Sequence, residues 1–284
     1  MSETPFSAED LQSLKRKTFL ADCELHSEIA STNDRALELC RCCSDDAPVR
    51  TPYLVLAESQ TSGRGRGANR WWSKSGALTF SLILCRSQVP LPLEQQSRLS
   101  LLCGIAVCET LAGLAAPQSV GRPPLGPQSV GLKWPNDVWL KGRKVCGILI
   151  EVAPQPLQQI VIGIGFNANN SFREAPPELR ATATSLCDEW GGEVSRAGLL
   201  ADLLQAVERE LEETRQSEDR LAERFGRWCL LTGSHVRMET ERGNREGICR
   251  GIDGDGKLLL ETAAGLERFI AGQAVRFSPE GGLR

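Results

Sequence analysis

The sequence predicts an α+β protein in two parts. A unit of interspersed helices and strands covers residues 1–231, and a small β-barrel covers residues 232–284. Three observations predict this. Short apolar runs that suit buried strands, such as Tyr53–Ala57 and Ala77–Cys85, are separated by stretches with helical spacing. After Thr232 the pattern changes to short alternating segments divided by glycine turns, notably Asp253-Gly254-Asp255-Gly256. The length of 284 residues, with 41% hydrophobic and 24% charged content, is enough for one large core and a small second domain.

The elements follow in order. Residues 33–43 predict a helix whose start Thr32 or Asn33 can cap and whose apolar face carries Ala36, Leu37, Leu39 and Cys40. Strand Tyr53–Ala57 leads into a polar, glycine-rich loop from Glu58 to Gly76, and Ala77–Cys85 is the next strand. A helix over Glu94–Leu114 gathers Leu99, Leu102, Ala106 and Leu111 on one side. The apolar run Leu99–Ala116 is broken by Glu109 and Thr110, and it falls short of the roughly 20 residues a membrane span needs, so it reads as a buried helix. The pentapeptide PQSVG occurs at 117–121 and again at 127–131, which reads as a flexible surface insertion. Strands are expected at Val130–Trp134, Val145–Val152 and Gln159–Asn167, with a turn at Gly142 between the first two. Helices are expected at Leu199–Leu211 and Glu218–Cys229.

Composition excludes some functions. The formal net charge is −3, without the basic footprint of a nucleic-acid binder. The N-terminus mixes charges of both signs and has no apolar signal core, which predicts a cytoplasmic protein with no membrane association. Eleven cysteines are scattered along the chain, most among apolar neighbours, as small hydrophobes of a reducing compartment. Cys40 and Cys43 make a formal C-x-x-C, but no second pair lies nearby and the two histidines are His26 and His235, so no metal site is expected.

Three constellations can carry chemistry. The loop from Gln60 to Gly67 contains Gly63-Arg64-Gly65-Arg66: glycines open the backbone to an anion and the arginines add planar donor forks, although such loops also contact RNA. It is neither a Walker loop nor a dinucleotide fingerprint. Lys133-Trp134-Pro135-Asn136-Asp137 brings an ammonium, an amide and a carboxylate to a strand end, where they can meet a nucleotide or form a solvated turn. Lys144 opens the buried strand toward Gly147-Ile-Leu-Ile-Glu151, which is costly unless its head reaches water or an anion. In Gly163-Ile-Gly-Phe-Asn167 the glycines either expose backbone to a ligand or accommodate a neighbouring side chain.

Taken together, Ser31-Thr32-Asn33, Gln60, Gly63-Arg-Gly-Arg66, Lys133–Asp137, Lys144 with Gly147–Glu151, and Gly163-Ile-Gly-x-Asn167 resemble the biotin–protein ligases, in order and spacing, across roughly residues 15–230. The resemblance implies a mixed-sheet catalytic domain of the biotin/lipoate ligase type over 1–231, an SH3-like barrel over 232–284, and an ATP-dependent biotin–[acetyl-CoA-carboxylase] ligase. It places Ser31, Thr32, Asn33 and Gln60 around biotin's ureido ring, and Gly63, Arg64, Gly65 and Arg66 in a loop closing over biotin and phosphate. Lys144 lies between the biotin carboxylate and the α-phosphate. Lys133, Asn136 and Asp137 take the nucleotide side, Gly163 and Asn167 lie beside the adenosine, and Trp71 or Trp72 covers the adenine. The sequence departs from many relatives after Arg66, where Gly67-Ala68-Asn69 replaces further arginine and glycine.

The implied reaction joins biotin to ATP, with Mg²⁺, as biotinyl-5'-AMP and pyrophosphate. A lysine of a biotin carboxyl carrier protein then takes the biotin. Arg66, Lys144 and Asp137 are the catalytic candidates, with Asp137 either the base for that lysine or a nucleotide or metal ligand. About 30 residues precede Ser31, too few for the winged helix with which some family members bind DNA, so no operator binding is expected. A homodimer is compatible with the resemblance. Two rival readings are a lipoate-type acyl ligase of the same fold and a non-catalytic nucleic-acid module.

Overall fold

A seven-stranded sheet organises the larger part of the chain in the computed structural model, which describes residues 5–42, 49–92, 95–114, 129–154, 159–216, 220–240 and 243–276. Its strands are β1 (Asp22–His26), β2 (Tyr53–Ala57), β3 (Leu78–Leu84), β4 (Val130–Lys133), β5 (Asp137–Leu140), β6 (Arg143–Val152) and β7 (Ile160–Phe166), in the order β1-β2-β3-β7-β6-β5-β4. β1 and β2 are parallel, and every other neighbouring pair is antiparallel, so the sheet is mixed.

Alternation along the strands separates two faces. Leu54, Leu56, Leu82, Leu84, Ile160 and Ile162 point into the main core with α3 (Gln96–Leu114) and α6 (Arg196–Gln216). Val55, Ile83 and Val161 point the other way, onto Ala36, Leu37 and Cys40 of α2 (Thr32–Cys42). Residues 97–114 of α3 are long and apolar enough to cross a membrane by composition, but 72% of that stretch is buried inside the protein, against α6 and β6. The expected buried helix is therefore a core helix.

The second sheet is β8 (His235–Thr240), β9 (Gly243–Ile252), β10 (Leu258–Thr262), β11 (Gly265–Phe269) and β12 (Gln273–Arg276), antiparallel in the order β11-β10-β9-β8-β12. Its inward residues Val236, Met238, Cys249, Leu258 and Leu260 belong to the same apolar cluster as α3 and the large sheet. The two parts thus share one core.

The sequence expectations need four corrections. Ser31 caps α2, its Oγ accepting from Asp34 N at 3.4 Å, where Thr32 or Asn33 was expected. Asp137–Leu140 is a strand, so two turns replace the one expected: residues 134–136 join β4 to β5, and Lys141-Gly142, both at positive φ, join β5 to β6. With four residues alternating half-buried and buried, β5 is too short to announce itself. The helix expected over Glu218–Cys229 is a short turn, α7 (Leu221–Gly226), within the described residues. Finally α1 (Ala8–Lys17), capped by Ser7 and Asp10, and the polar edge strand β1 occupy stretches with little periodic signal. The PQSVG insertion up to residue 128, and Cys43 of the C-x-x-C, lie outside the described residues.

Candidate active site

The site lies on the α2 face of the large sheet, in a cleft of about 1340 Å³ that runs from the start of α2 to the small sheet. Its first end is assembled from the two strands that run parallel. Beyond β1 and β2 they stay together, Thr61 N donating to Ile29 O at 2.9 Å and Ser62 N to Ala30 O at 2.9 Å. This brings Gln60 against the first turn of α2, where its Oε1 accepts from Thr32 N at 2.7 Å and Thr32 Oγ1 at 3.1 Å. Ser31, Thr32 and Asn33 are all buried. This end therefore offers hydroxyls and amides without a net charge, which suits a neutral polar ring.

The glycine–arginine loop folds into a short hairpin. Gly65 N donates to Asn69 O at 2.8 Å and Trp71 N to Gly63 O at 2.9 Å, and Gly67 turns the chain at φ 59°. The two arginines part. Arg64 donates from both terminal nitrogens to Glu151, at 3.0 and 2.6 Å, and Asp34 lies 2.9 Å from the same Nη2. Arg66 reaches across to Asn136, with Nη1 3.5 Å from Oδ1; burial pulls its guanidinium pKa down, and Asp137 opposes this. Of the pair, Arg66 is the cation with a long, weak hydrogen bond, and Arg64 is a tether.

The 133–137 turn is held from three sides. Asn136 exchanges bonds with Ile148 of β6: its Nδ2 donates to the carbonyl at 2.8 Å and its own carbonyl accepts at 3.0 Å. Ser100 of α3 donates to Pro135 O at 3.2 Å. Trp134, 2% exposed, donates from Nε1 to Gly256 O in the β9–β10 turn at 3.0 Å. Lys133 and Asp137 are thereby cross-strand partners at the end of the β4–β5 ladder.

Lys144 enters by a slip in register. β5 pairs with β6 through Asp137↔Gly147 and Val138↔Cys146, then jumps to Trp139↔Lys144. The extra residue, Val145, is wholly buried. The bulge turns Lys144 onto the site face, where its Nζ sits 2.6 Å from Asp137 Oδ1 and 5.8 Å from the centre of the Trp71 ring. Lys133 Nζ lies over the Trp139 ring at 4.8 Å. Its pKa is lowered by burial, with Asp137 opposing and Lys144 adding to the shift.

The glycines of β7 accommodate side chains. A Cβ on Gly163 would stand 2.1 Å from Asn33 Oδ1, and one on Gly165 would stand 2.3 Å from Trp71 Cε2. Thus Ser31, Thr32, Asn33, Gln60, Arg64, Gly65, Arg66, Trp71, Lys133, Asn136, Asp137, Lys144 and Gly163 all line one cleft. Gly63 and Asn167 do not. Gly63 packs under the Trp71 carbonyl, and Asn167 is buried with its Oδ1 accepting from Asn170 Nδ2 at 3.0 Å. Trp72 lies apart, its ring 4.9 Å from that of Phe172.

Sequence reasoning missed the far wall, which the small sheet supplies with Glu239, Arg245, Glu267, Arg268 and Phe269 to Ala274. Short strands with exposed ionic side chains carry no motif, so nothing in the sequence aims them at the cleft. Arg64, Arg66, Arg70, Lys133, Lys144, Arg245 and Arg268 line the cleft against Asp137, Glu239 and Glu267. A chain with a net charge of −3 has concentrated its cations here, as an anionic ligand requires.

Known proteins match this architecture. Residues 42–167 match the Biotin/lipoate A/B protein ligase family, and residues 232–275 match the Biotin protein ligase C terminal domain. The bifunctional ligase/repressor BirA of Bacillus subtilis is 31% identical over 255 residues, covering 87% of this chain and 71% of that protein. The biotin--[acetyl-CoA-carboxylase] ligase of Mycobacterium tuberculosis is 35% identical over 223 residues, covering 78% of each chain. Among solved structures, the biotin protein ligase from Aquifex aeolicus in complex with biotin and ATP superposes with a TM-score of 0.74 at 27% identity, covering 90% of this chain and 98% of that one. With relatives above 30% identity covered over more than two thirds of their length, the chain belongs to the biotin protein ligases of the biotin/lipoate A/B protein ligase family.

Proposed function

We propose that this chain condenses biotin with ATP to biotinyl-5'-AMP and pyrophosphate. It then passes the biotinyl group to a lysine of the biotin carboxyl carrier protein of acetyl-CoA carboxylase, in the cytoplasm. The observation that carries this reading is the pairing of two unlike ends in one cleft. A hydroxyl–amide pocket at Ser31, Thr32 and Gln60 is joined to a cation cluster of Arg66, Lys133 and Lys144.

The first step brings a carboxylate to a phosphate, so two anions must approach. Lys144 and Arg66 lower that repulsion, and because the cleft is partly desolvated their charges act more strongly than in water. Lys144 is held by Asp137 at 2.6 Å, which keeps the ammonium on the site face before the substrates arrive. The biotin carboxylate oxygen attacks the α-phosphorus, the bond to the β-phosphate oxygen breaks, and pyrophosphate leaves. Mg²⁺, when bound with ATP, adds charge neutralisation on the phosphates. Asp137, the carboxylate of the 133–137 turn that lines the cleft, would be the residue to hold it. In the second step the carrier amine attacks the biotinyl carbonyl and AMP departs. The amine must first lose a proton, and Asp137, a carboxylate of the cleft at the end of the β4–β5 ladder, is the candidate to accept it.

Biotin-dependent exchange of pyrophosphate into ATP tests the first step, and the mass gain of a carrier domain tests the second. Exchange with lipoate and none with biotin would overturn the reading.

A further inference from the structure

Glu151 closes the Gly147–Glu151 stretch, yet it has no part in the steps above. Its side chain is about one-quarter exposed and faces neither solvent alone nor the cation cluster. Oε1 accepts from Arg64 Nη1 at 3.0 Å, and Oε2 accepts from Arg64 Nη2 at 2.6 Å and from Asn33 Nδ2 at 2.7 Å. One carboxylate on the sheet thus joins the glycine–arginine loop to the first turn of α2.

We propose that Glu151 is a positioning residue that preforms the biotin end of the cleft by fixing Arg64 and Asn33 on a single carboxylate. This rests on the biotin ligase reading above.

The chemistry of a carboxylate explains why a glutamate serves here. An ionised carboxylate only accepts, so Asn33 must present its NH₂ to Glu151 and its Oδ1 to the other side. There Ser81 Oγ lies 2.5 Å away and donates to Oδ1. Ser81 Oγ also lies 2.8 Å from Thr32 Oγ1, the hydroxyl that donates to Gln60 Oε1. The orientation of the Asn33 amide, and with it the bond from Ser81, is therefore set from the Glu151 end. Space reinforces this, since Asn33 sits in the hollow over Gly163, where even a methyl group would collide with it. The same carboxylate gives Arg64 a planar, bidentate partner, and this fixes the loop in orientation as well as in distance. Asp34 is a poorer substitute, more than half exposed and touching one nitrogen.

A glutamine at 151 keeps the shape and offers one acceptor where three donors converge. At least one of the three bonds must then be lost, and the bidentate pairing with Arg64 cannot survive intact. Glu151→Gln should weaken biotin binding measured by calorimetry without ATP by about 10-fold, while the KM for ATP stays within about twofold of the parent. Arg64→Lys, which keeps the charge but loses the fork, should lower biotin affinity in the same direction. In an Arg64→Ala, Asn33→Ala background, Glu151→Gln should have no further effect. Parent-like biotin affinity in Glu151→Gln, an equal loss for biotin and ATP, or an undiminished effect in the double-alanine background would each overturn the proposal. A parent chain that does not bind biotin would instead overturn the biotin reading itself.

Discussion

The indole of Trp71 lies directly against the backbone of Gly165, so close that a methyl group there would stand 2.3 Å from Cε2. Its Nε1 is buried and finds no hydrogen-bond partner among the described residues. A flat aromatic surface with a spare donor, seated between β7 and the Lys144 ammonium, is suited to a purine. Trp71→Ala should raise the KM for ATP by about 10-fold, in the range that stacking on an aromatic side chain contributes, and leave biotin affinity within about twofold. Gly165→Ala must displace the indole and should reproduce the ATP defect, together with a change in tryptophan fluorescence. A normal KM for ATP in both variants would remove Trp71 from the nucleotide site.

Lys144 shows how far the sequence could be read. The motif flags it, and simple alternation would turn it toward the core with Cys146 and Ile148. The one-residue bulge at Val145 reverses that. Bulges depend on the pairing of two strands, so a single-strand pattern cannot reveal them. Lys144→Ala should therefore reduce adenylate formation far more than transfer from supplied biotinyl-adenylate. A loss of about 100-fold in pyrophosphate exchange is expected for removing one preorganised charge. Equal losses in the two half-reactions would make Lys144 structural.

Lys133 carries a pH signature. Burial lowers its pKa below that of an ordinary lysine, so it releases its proton at a lower pH than an exposed lysine does. If the charged form holds phosphate, ATP affinity falls as pH rises through that lowered value. Arginine stays charged over the same range. Lys133→Arg should thus retain its ATP affinity at alkaline pH where the parent loses it. The check is the KM for ATP against pH in the two proteins. Superimposable profiles would exclude Lys133 from phosphate binding.

The partition between legible and hidden residues follows from what recognition needs. Gln60, Arg66, Lys133, Asn136, Asp137 and Lys144 carry distinctive groups at fixed spacing, and the structure gathers them in one cleft. Asn167, which the resemblance places beside the adenosine, is instead buried beneath the cleft, where its Oδ1 accepts from Asn170. Trp134 was legible as part of a motif but not as a link to Gly256, 122 residues away. Trp134→Phe keeps the bulk and removes that hydrogen bond. It should lower stability by about 1 kcal/mol and raise the KM for ATP, because the small sheet forms the far wall of the cleft. A lower melting temperature with an unchanged KM would show that the link only supports the fold.

Asp137 sits 2.6 Å from the Lys144 ammonium and opposite Lys133 across the ladder. Two roles follow from that position, and they separate in the half-reactions. As the base for the incoming amine, it would abstract the proton in the transfer step. Asp137→Asn would then slow transfer from preformed adenylate by about 10² to 10⁴. The defect would shrink at high pH, where more of the carrier lysine is already neutral. As the anchor of Lys144, or as a nucleotide or Mg²⁺ ligand, its loss would instead fall on adenylate formation. Raising ATP or Mg²⁺ would then partly restore the rate. The ion pair itself bears on both, since an asparagine leaves Lys144 without its counter-charge and the ammonium is freer to move. The transfer step measured alone in a single turnover, with synthetic biotinyl-adenylate, avoids that complication because no phosphate is then being activated. A parent-like transfer rate in Asp137→Asn at neutral pH would exclude the base role and leave Asp137 to adenylate formation, as the anchor of Lys144 or as a nucleotide or Mg²⁺ ligand.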